Sequence, residues 1–455
     1  MRMATKTRLV EFRGQCQVDF GIEGGFMKES LYLHIPALEE LWYRQKLMQD
    51  PDTMSYNKGY DMDFDGYDKA TGCIAFPERE WADWYAWFIG QEPRRFYAYI
   101  VRESDGEFIG DVNVHRNEDA GWYDMGIVLE AKYRGKGYAA DALQLLLQHA
   151  FETMDADAVH NDFEEERSAA LQIHLSAGFT RCRQENGILE LLLTREQYFR
   201  QRAIRSMTSA IVEILTENQP SVYLYGSSVL DDFRLGWSDI DILVLTQKRI
   251  SQQQAMELVM LRQRLSEKEP ENPYYRLFEG GMLTLSAFLS KESDCVVYWG
   301  TSGQRIADTC FFDSFCLAEL LQGGKLLHGT ELRSRLVMPV YADFYADVKK
   351  HYESIRQHAQ KTDRSFYSFG WLLDIARGIY TLRSGAVISK TDAAQWALDN
   401  KLCPVPDALE TALKVRKNPM AYRGDSEIFN YAEALGPEIQ RFADVLEKEL
   451  NGGCK

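Results

Sequence analysis

The chain has 455 residues, 45% hydrophobic and 26% charged, and its 52 Lys and Arg stand against 68 Asp and Glu for a formal net charge of −16. That length exceeds one ordinary domain and the apolar fraction is enough for more than one core. The acidic balance disfavours nucleic acid and anionic membranes as partners and suits a cationic small molecule, although residue by residue it also reads as ordinary solubilising charge.

The imbalance is uneven: residues 1–200 hold 22 Lys and Arg against 35 Asp and Glu, and so carry −13 of the total. No run of about 18 apolar residues occurs, and the opening MRMATKTRLVEF lacks the apolar centre of a signal peptide. A soluble, cytoplasmic protein is therefore expected. The eight cysteines, at positions 16, 73, 182, 295, 310, 316, 403 and 454, form no CxxC pair beside a histidine cluster. Their spacing suggests neither a zinc site nor a disulfide framework.

In chain order, Ala37 to Met48 reads as a helix, followed by a polar segment with Asp61, Asp63, Asp65 and Asp68. These acids are spaced roughly like a calcium loop but lack its glycine and terminal glutamate, which leaves a solvated loop or one wall of a cation-binding site. Trp81, Trp84, Tyr85 and Trp87 have the spacing of a core-facing helix. Strands follow at Tyr97–Arg102, Phe108–His115 and Trp122–Leu129. Leu143, Leu146, Leu147, Ala150 and Phe151 then mark Ala139–Met154 as an amphipathic helix entered through a glycine-rich turn. The amides at such a helix start suit an anion.

The turn itself, Arg134-Gly135-Lys136-Gly137-Tyr138-Ala139, resembles the R-x-x-G-x-G/A pyrophosphate loop of the GCN5-related N-acetyltransferases (GNAT). Ser176-Ala177-Gly178-Phe179, after a helix Ser168–Leu175, is similar to a later segment of that family. The resemblance covers about residues 95 to 195. It implies that acetyl-CoA lies with its pyrophosphate on amides 134–139 and its pantetheine arm along Gly126–Leu129. It also places His174 where many members have a tyrosine that protonates the leaving thiolate, and a packed helix histidine is the other reading. The family asparagine before that helix is Arg167 here. No general base declares itself: Asp111, His115 and Asp124 are candidates, and a water chain is the alternative.

Thr194–Asn218 has helical periodicity without a Pro- or Gly-rich linker, so a boundary near residue 200 falls within a helix. Beyond it, SVYLYGSSVLDDFRLGWSDIDILVL (Ser221–Leu245) has a short strand, a Gly226-Ser227-Ser228 turn and a second strand. Side chains two apart on a strand share a face, which puts Asp239 and Asp241 together and Ile240 and Ile242 opposite. Two adjacent carboxylates repel unless a cation lies between them, and Mg²⁺ suits such a site. Gly226 permits the sharp turn that brings amides and hydroxyls to a phosphate.

GSS followed by S-D-I-D-I-L-V, from Ser238, resembles the nucleotidyltransferase superfamily, and more narrowly the streptomycin/spectinomycin adenylyltransferases. That resemblance implies binding of ATP near Gly226, Ser227 and Ser238, and a third carboxylate on a neighbouring strand, for which Glu279 in YYRLFEGGMLTLSAFL is the match. Glu279 is thereby a candidate general base, with a structural acid in a glycine loop as the alternative. Trp299 falls where the family has a tryptophan near its drug, or else packs beneath a turn.

A helix over Ser251–Glu267 precedes this segment, and from Asp343 the pattern is helical to the end: Tyr345–Gln360, Ser365–Arg383, Thr391–Asn400, Pro406–Lys417 and Pro437–Leu450. A-R-G-I-Y-T-L-R-S-G and I-S-K-T-D resemble the family segments that bring an arginine and a lysine to the ATP phosphates. The matching residues are Arg377 and Lys390, and Asp363 and Asp374 are possible acidic contacts to a drug.

The expected fold class is a multidomain α+β protein: a mixed α/β GNAT domain at 1–200, an α/β nucleotidyltransferase domain at 201–340 and an all-helical domain at 341–455. The implied enzyme acetylates and adenylylates an aminoglycoside-like polycation, with acetyl-CoA, ATP and Mg²⁺. A protein-modifying enzyme, or a ligand sensor in which one module has lost its chemistry, are the rival readings.

Overall fold

The computed structural model describes residues 29–452 apart from 64, 301 and 302, so Cys16 and Cys454 lie outside the described residues. The chain divides into two compact units, Met1–Arg202 and Ala203–Lys455.

The first unit is built on a seven-stranded sheet: β1 (Leu31–His34), β2 (Arg95–Arg102), β3 (Phe108–Arg116), β4 (Tyr123–Leu129), β5 (Ala158–Glu164), β6 (Thr180–Glu185) and β7 (Ile188–Thr194), in the order β1-β2-β3-β4-β5-β7-β6. Every neighbouring pair is antiparallel except β4 and β5. β2 is buried on both faces, which its period of two makes explicit. Phe96, Ala98 and Ile100 enter the main core, whereas Tyr97, Tyr99 and Val101 form a second, aromatic cluster with Tyr43 and Leu47.

Tyr43 and Leu47 come from α1 (Trp42–Gln49), and α2 (Trp81–Phe88) supplies Trp84 and Phe88 to the same cluster. The expected core helix at Trp81–Trp87 is thus corrected in part: α2 has no fully buried residue and Trp87 is 55% exposed, because its eight residues cover an existing layer. The four aspartates at 61, 63, 65 and 68 are all exposed, with Asp61 on Lys69 and Asp68 closing a turn onto Ala70 and Thr71. They form a solvated loop.

α3 (Tyr138–Gln148) buries Leu143, Leu146 and Leu147, and the expected helix continues as a π-helical turn, His149–Thr153, that buries Ala150 and Phe151. α4 (Ser168–Ala177) packs Leu171 and Ala177 into the main core. α5 (Arg195–Ile214) contains the division between the units.

In the second unit, β8 (Ser221–Tyr225), β9 (Ile240–Thr246), β10 (Phe278–Thr284), β11 (Val296–Gly300), β12 (Gly303–Ala307) and β13 (Lys325–His328) form a sheet in the order β12-β11-β10-β9-β8-β13. β9 and β10 run parallel and the other pairs antiparallel. α6 (Gln252–Lys268) starts at Ser251, whose hydroxyl accepts from the Gln254 N–H while the Gln254 side chain returns to the Ser251 N–H, a capping box. Trp299 is fully buried and donates its indole N–H to the Leu258 carbonyl on α6 at 3.2 Å, so it belongs to the core.

α7 (Leu285–Ser290) and α8 (Ser314–Gly323) complete this layer. Six helices follow: α9 (Tyr341–His358), α10 (Tyr367–Ser384), α11 (Lys390–Asp399), α12 (Pro406–Lys417), α13 (Ser426–Ala434) and α14 (Gly436–Gly452). They surround the apolar α10 with a separate core that includes Leu372, Ala376, Leu409 and Phe442. Arg416 of α12 and Asp232 of the β8–β9 connection form a buried ion pair at 2.6 Å, which ties the helices to the six-stranded sheet. The fold class is therefore mixed α/β, then α/β, then all helix.

Candidate functional site

In the first unit the parallel β4–β5 pair joins only at Tyr123–Val159 and Asp124–His160. Gly126 to Leu129 pair with β3 on one side and lack a β5 ladder on the other. Their unpaired edge can take an extended ligand with amides of its own.

The chain then reaches Gly135 (φ +76°) and Gly137 (φ +89°), where an added Cβ would meet nothing within 4 Å. Among the described residues nothing covers these backbones, and Gly137 caps α3, so the first-turn amides of Tyr138 and Ala139 lie beside that open space. The Arg134 side chain points elsewhere. It donates to the Leu129, Asp52 and Thr53 carbonyls and fastens the turn to the end of β4. Lys136 lies over the Tyr133 ring at 5.4 Å. The Tyr138 hydroxyl bonds Glu29.

His174 is buried on α4. It is 3% exposed, Nδ1 lies 2.8 Å from the Ala170 carbonyl, and Nε2 lies 2.8 Å from Asn161 Nδ2. The carbonyl requires Nδ1–H, and Nε2 then accepts from the Asn161 amide. Burial further lowers its pKa. Both ring nitrogens are thus engaged within the first unit.

Asp111 is buried, accepts from the Tyr97 hydroxyl at 2.7 Å and lies 3.6 Å from Arg44. Burial raises its pKa against the opposing pull of Arg44. Asp124 is occupied by His160, Asn117 and Trp122, and His115 stands 4.0 Å from it.

In the second unit the parallel register sets Glu279 opposite Asp241, so both side chains share a face. The rest of that face is apolar, with Leu243, Leu245 and Leu283. Asp239 sits immediately before β9, whereas the sequence pattern places it within the same strand as Asp241. Gly226, at φ +70°, passes so close that a Cβ there would stand 2.2 Å from Asp241 Oδ2. The Ser227 hydroxyl lies 3.4 Å from the Asp239 carbonyl, and the buried Ser228 hydroxyl has no partner among the described residues. Ser238 accepts from the Arg234 N–H at 3.0 Å and closes the turn before Asp239.

The electrostatics are those of a cation-binding site. Burial, then the carboxylates of Glu319, Asp239 and Glu279, push the Asp241 pKa well above its ordinary value, with Lys390 opposing. Burial also raises Asp239, against Lys390 and Arg262. A hard divalent ion held by Asp239 and Asp241 would reverse this, and an all-oxygen donor set fits Mg²⁺.

Glu319 and Arg262 are site residues without a local motif. Glu319, on the otherwise apolar α8 (SFCLAELLQG), is buried and pairs with Arg377, whose Nε donates to the Ile388 carbonyl at 2.9 Å. Burial works against the Arg377 charge, but Glu319 and then Asp374 oppose it and the net effect raises its pKa. A single acid on an apolar helix was the available signal. Arg262, on α6, donates to the Phe278 carbonyl at 2.8 Å. Lys390 pairs with Asp374 at 2.7 Å, and Asp374 also faces His351 at 3.6 Å. Lys390 and His351 hold the Asp374 carboxyl below its usual range despite burial.

Three family models match the chain in sequence: an acetyltransferase (GNAT) domain over residues 34–180, a nucleotidyltransferase domain over 209–273, and the aminoglycoside adenylyltransferase C-terminal domain over 336–449. No curated protein matches. Similar solved structures include a GNAT-family acetyltransferase from Bacillus anthracis, 17% identical, covering 38% of this chain and 99% of that one with a TM-score of 0.29. Another is the spermidine N-acetyltransferase from Vibrio cholerae in complex with CoA and spermine, 16% identical over 37% of this chain and 97% of that one, TM-score 0.30. The nucleotide-linked sugar GNAT FdhC is 16% identical over 39% and 93%, TM-score 0.31. The chain is an enzyme that joins a GNAT acetyltransferase domain to a nucleotidyltransferase domain carrying the C-terminal domain of the aminoglycoside adenylyltransferases.

Proposed function

We propose that this enzyme modifies one class of substrate, aminoglycoside-like polycations, in two ways: N-acetylation from acetyl-CoA by the first unit and O-adenylylation from ATP by the second. The observation that carries the second half is the pairing of Asp241 with Glu279 across parallel strands, with the Gly226 turn packed directly against the Asp241 carboxylate. A polycation with both amines and hydroxyls is a substrate for both reactions, and its charge suits the −13 of residues 1–200.

In adenylylation, the substrate hydroxyl oxygen forms a bond to the α-phosphorus of ATP as the bond to pyrophosphate breaks, and Glu279 takes the hydroxyl proton. Asp239 and Asp241 would hold Mg²⁺, which supplies neutralisation of charge on the phosphoryl oxygens. The amides and hydroxyls of the Gly226–Ser228 turn, with Ser238 shaping its return, cradle the phosphates. Arg377 and Lys390 receive the pyrophosphate by exchanging Glu319 and Asp374 for phosphate oxygens.

In acetyl transfer, the Gly126–Leu129 edge pairs with the pantetheine arm, and the amides from Gly135 to Ala139 hold the pyrophosphate. Arg134 braces that turn from behind.

A panel of aminoglycosides incubated with acetyl-CoA or with Mg·ATP, read by mass spectrometry, tests the reading. The expected products gain one acetyl group or one adenylyl group respectively. A panel that remains unmodified in both arms would overturn the substrate class.

A further inference from the structure

A second ligand-bearing cluster lies in the first unit, apart from the acetyl-CoA loop. A ring nitrogen of His160, Cys182 Sγ and a carboxylate oxygen of Glu190 fall within 4.8 Å of one another. They come from β5, β6 and β7, which are adjacent in the sheet. No local spacing announces them, since 22 and 8 positions separate the three in the chain.

Proximity alone would be unremarkable, but His160 is prepared in a particular way. It is 8% exposed, its Nδ1 lies 2.8 Å from Asp124 Oδ1, and Trp122 stacks on its ring at 4.7 Å. Asp124 is itself held, by Asn117 at 2.9 Å and the Trp122 indole at 3.0 Å. A carboxylate on Nδ1 calls for the Nδ1–H tautomer and leaves a lone pair on Nε2. That Nε2 is buried and has no hydrogen-bond partner among the described residues. An unpaired buried nitrogen of this kind is costly, and a carboxylate–histidine pair with its outer nitrogen open is the arrangement that orients a metal-ligating imidazole.

Cys182 sits at a register shift between Arg181 and Arg183, and its Sγ lies 3.3 Å from the Glu190 carbonyl. A bulge re-aims the side chain it displaces. Glu190 lies 3.7 Å from Arg183, and Arg183 also pairs with Glu185, so its guanidinium keeps a partner if Glu190 turns away.

We infer that His160, Cys182 and Glu190 form a binding site for a borderline divalent cation, Zn²⁺, with Asp124 as the positioning residue for His160. The donor set is one imidazole, one thiolate and one carboxylate, which suits zinc and leaves a fourth tetrahedral position for water or an external ligand. Cys182 binds as the thiolate and its proton passes to solvent. A thiolate and a carboxylate balance the charge of the ion.

The test uses the full-length protein, stripped with a chelator and titrated with Co²⁺ in excess Mg²⁺, which occupies the hard oxygen site in the second unit. A thiolate-to-cobalt charge-transfer band saturating at one equivalent and displaced by one equivalent of Zn²⁺ is expected. Cys182→Ser should abolish the band. Asp124→Asn should keep it but weaken cobalt affinity by about 10–100-fold, and His160→Gln should weaken it at least as much. A band that survives in Cys182→Ser, or an affinity indifferent to His160→Gln, overturns the site in favour of adventitious binding at a surface thiol. Cys182 is exposed, so its serine variant keeps the test decisive even if the buried His160 variant fails to fold.

Discussion

At the scale of single residues, Asp241 carries the sharpest conflict of charge. Its folded pKa is raised by burial and by three other carboxylates, so between its unfolded value near 3.9 and its folded value the native state holds more protons than the unfolded one. Stability without a divalent ion therefore falls as pH rises through that window. Asp241→Asn should remove this decline, and in chelator at pH 7 to 8 it should raise Tm by about 2–4 °C for each kcal/mol of repulsion relieved. Mg²⁺ should raise Tm in the wild type and much less in the variant. The same change should abolish adenylylation, because losing a stabilisation of several kcal/mol means a rate loss of about a hundredfold or more. A variant that melts lower in chelator, or adenylylates normally, contradicts the carboxylate–cation reading. Glu279 separates from Asp241 by its role: Glu279→Gln should cut kcat by roughly 10² to 10⁴ with ATP binding retained, and wild-type turnover across pH 6 to 9 would leave Glu279 a structural acid.

At the scale of elements, two glycine turns are predicted to fail for different reasons. An alanine Cβ at Gly226 would stand 2.2 Å from Asp241 Oδ2 and 2.9 Å from its Cγ, on a backbone at φ +70°. Gly226→Ala should therefore cost about 1–2 kcal/mol of stability and, by displacing the Asp241 carboxylate, lose adenylylation while acetylation persists. Gly137 has open space around it, so Gly137→Val acts through the positive φ and through a branched side chain standing in front of the α3 amides. Acetyl-CoA affinity by calorimetry should fall at least about tenfold, or 1.4 kcal/mol; an unchanged value in a folded variant would remove the loop from the cofactor site. Both turns were legible in the sequence because strand, glycine and helix or strand follow one another within a short stretch of chain. Glu319 was not, since α8 lies far beyond β9 in the chain and only the fold brings them together. His174 shows the converse: a family position places the residue, but its two hydrogen bonds, to Asn161 and Ala170, are tertiary facts. The α2 tryptophans mislead for a related reason, because helical spacing reports a face without saying what covers it.

At the scale of the whole molecule, the two sets of chemical groups fall on opposite sides of the Arg202–Ala203 division. Each unit also has its own sheet and its own cores. α5 crosses the division, and its two ends are anchored in different units: Tyr198 belongs to the main core of the first unit, while in the second the Ile214 carbonyl accepts from Gln254 on α6 at 3.0 Å. A cut at this point divides a helix without opening either sheet. Separately expressed fragments 1–202 and 203–455 should then acetylate and adenylylate the substrates that the full chain does, with kcat/KM within about twofold, as expected for independent sites that couple by ~0.3–0.5 kcal/mol or less. Some thermal stability should be lost, because a shortened helix frays at its new end. Because most of the net negative charge lies in residues 1–200, KM for a polycation should rise with salt more steeply for acetylation than for adenylylation. Fragments that fold, as judged by circular dichroism and cooperative melting, yet lose the activity of the full chain would mean that the two chemistries share a site and that the division is only one of packing.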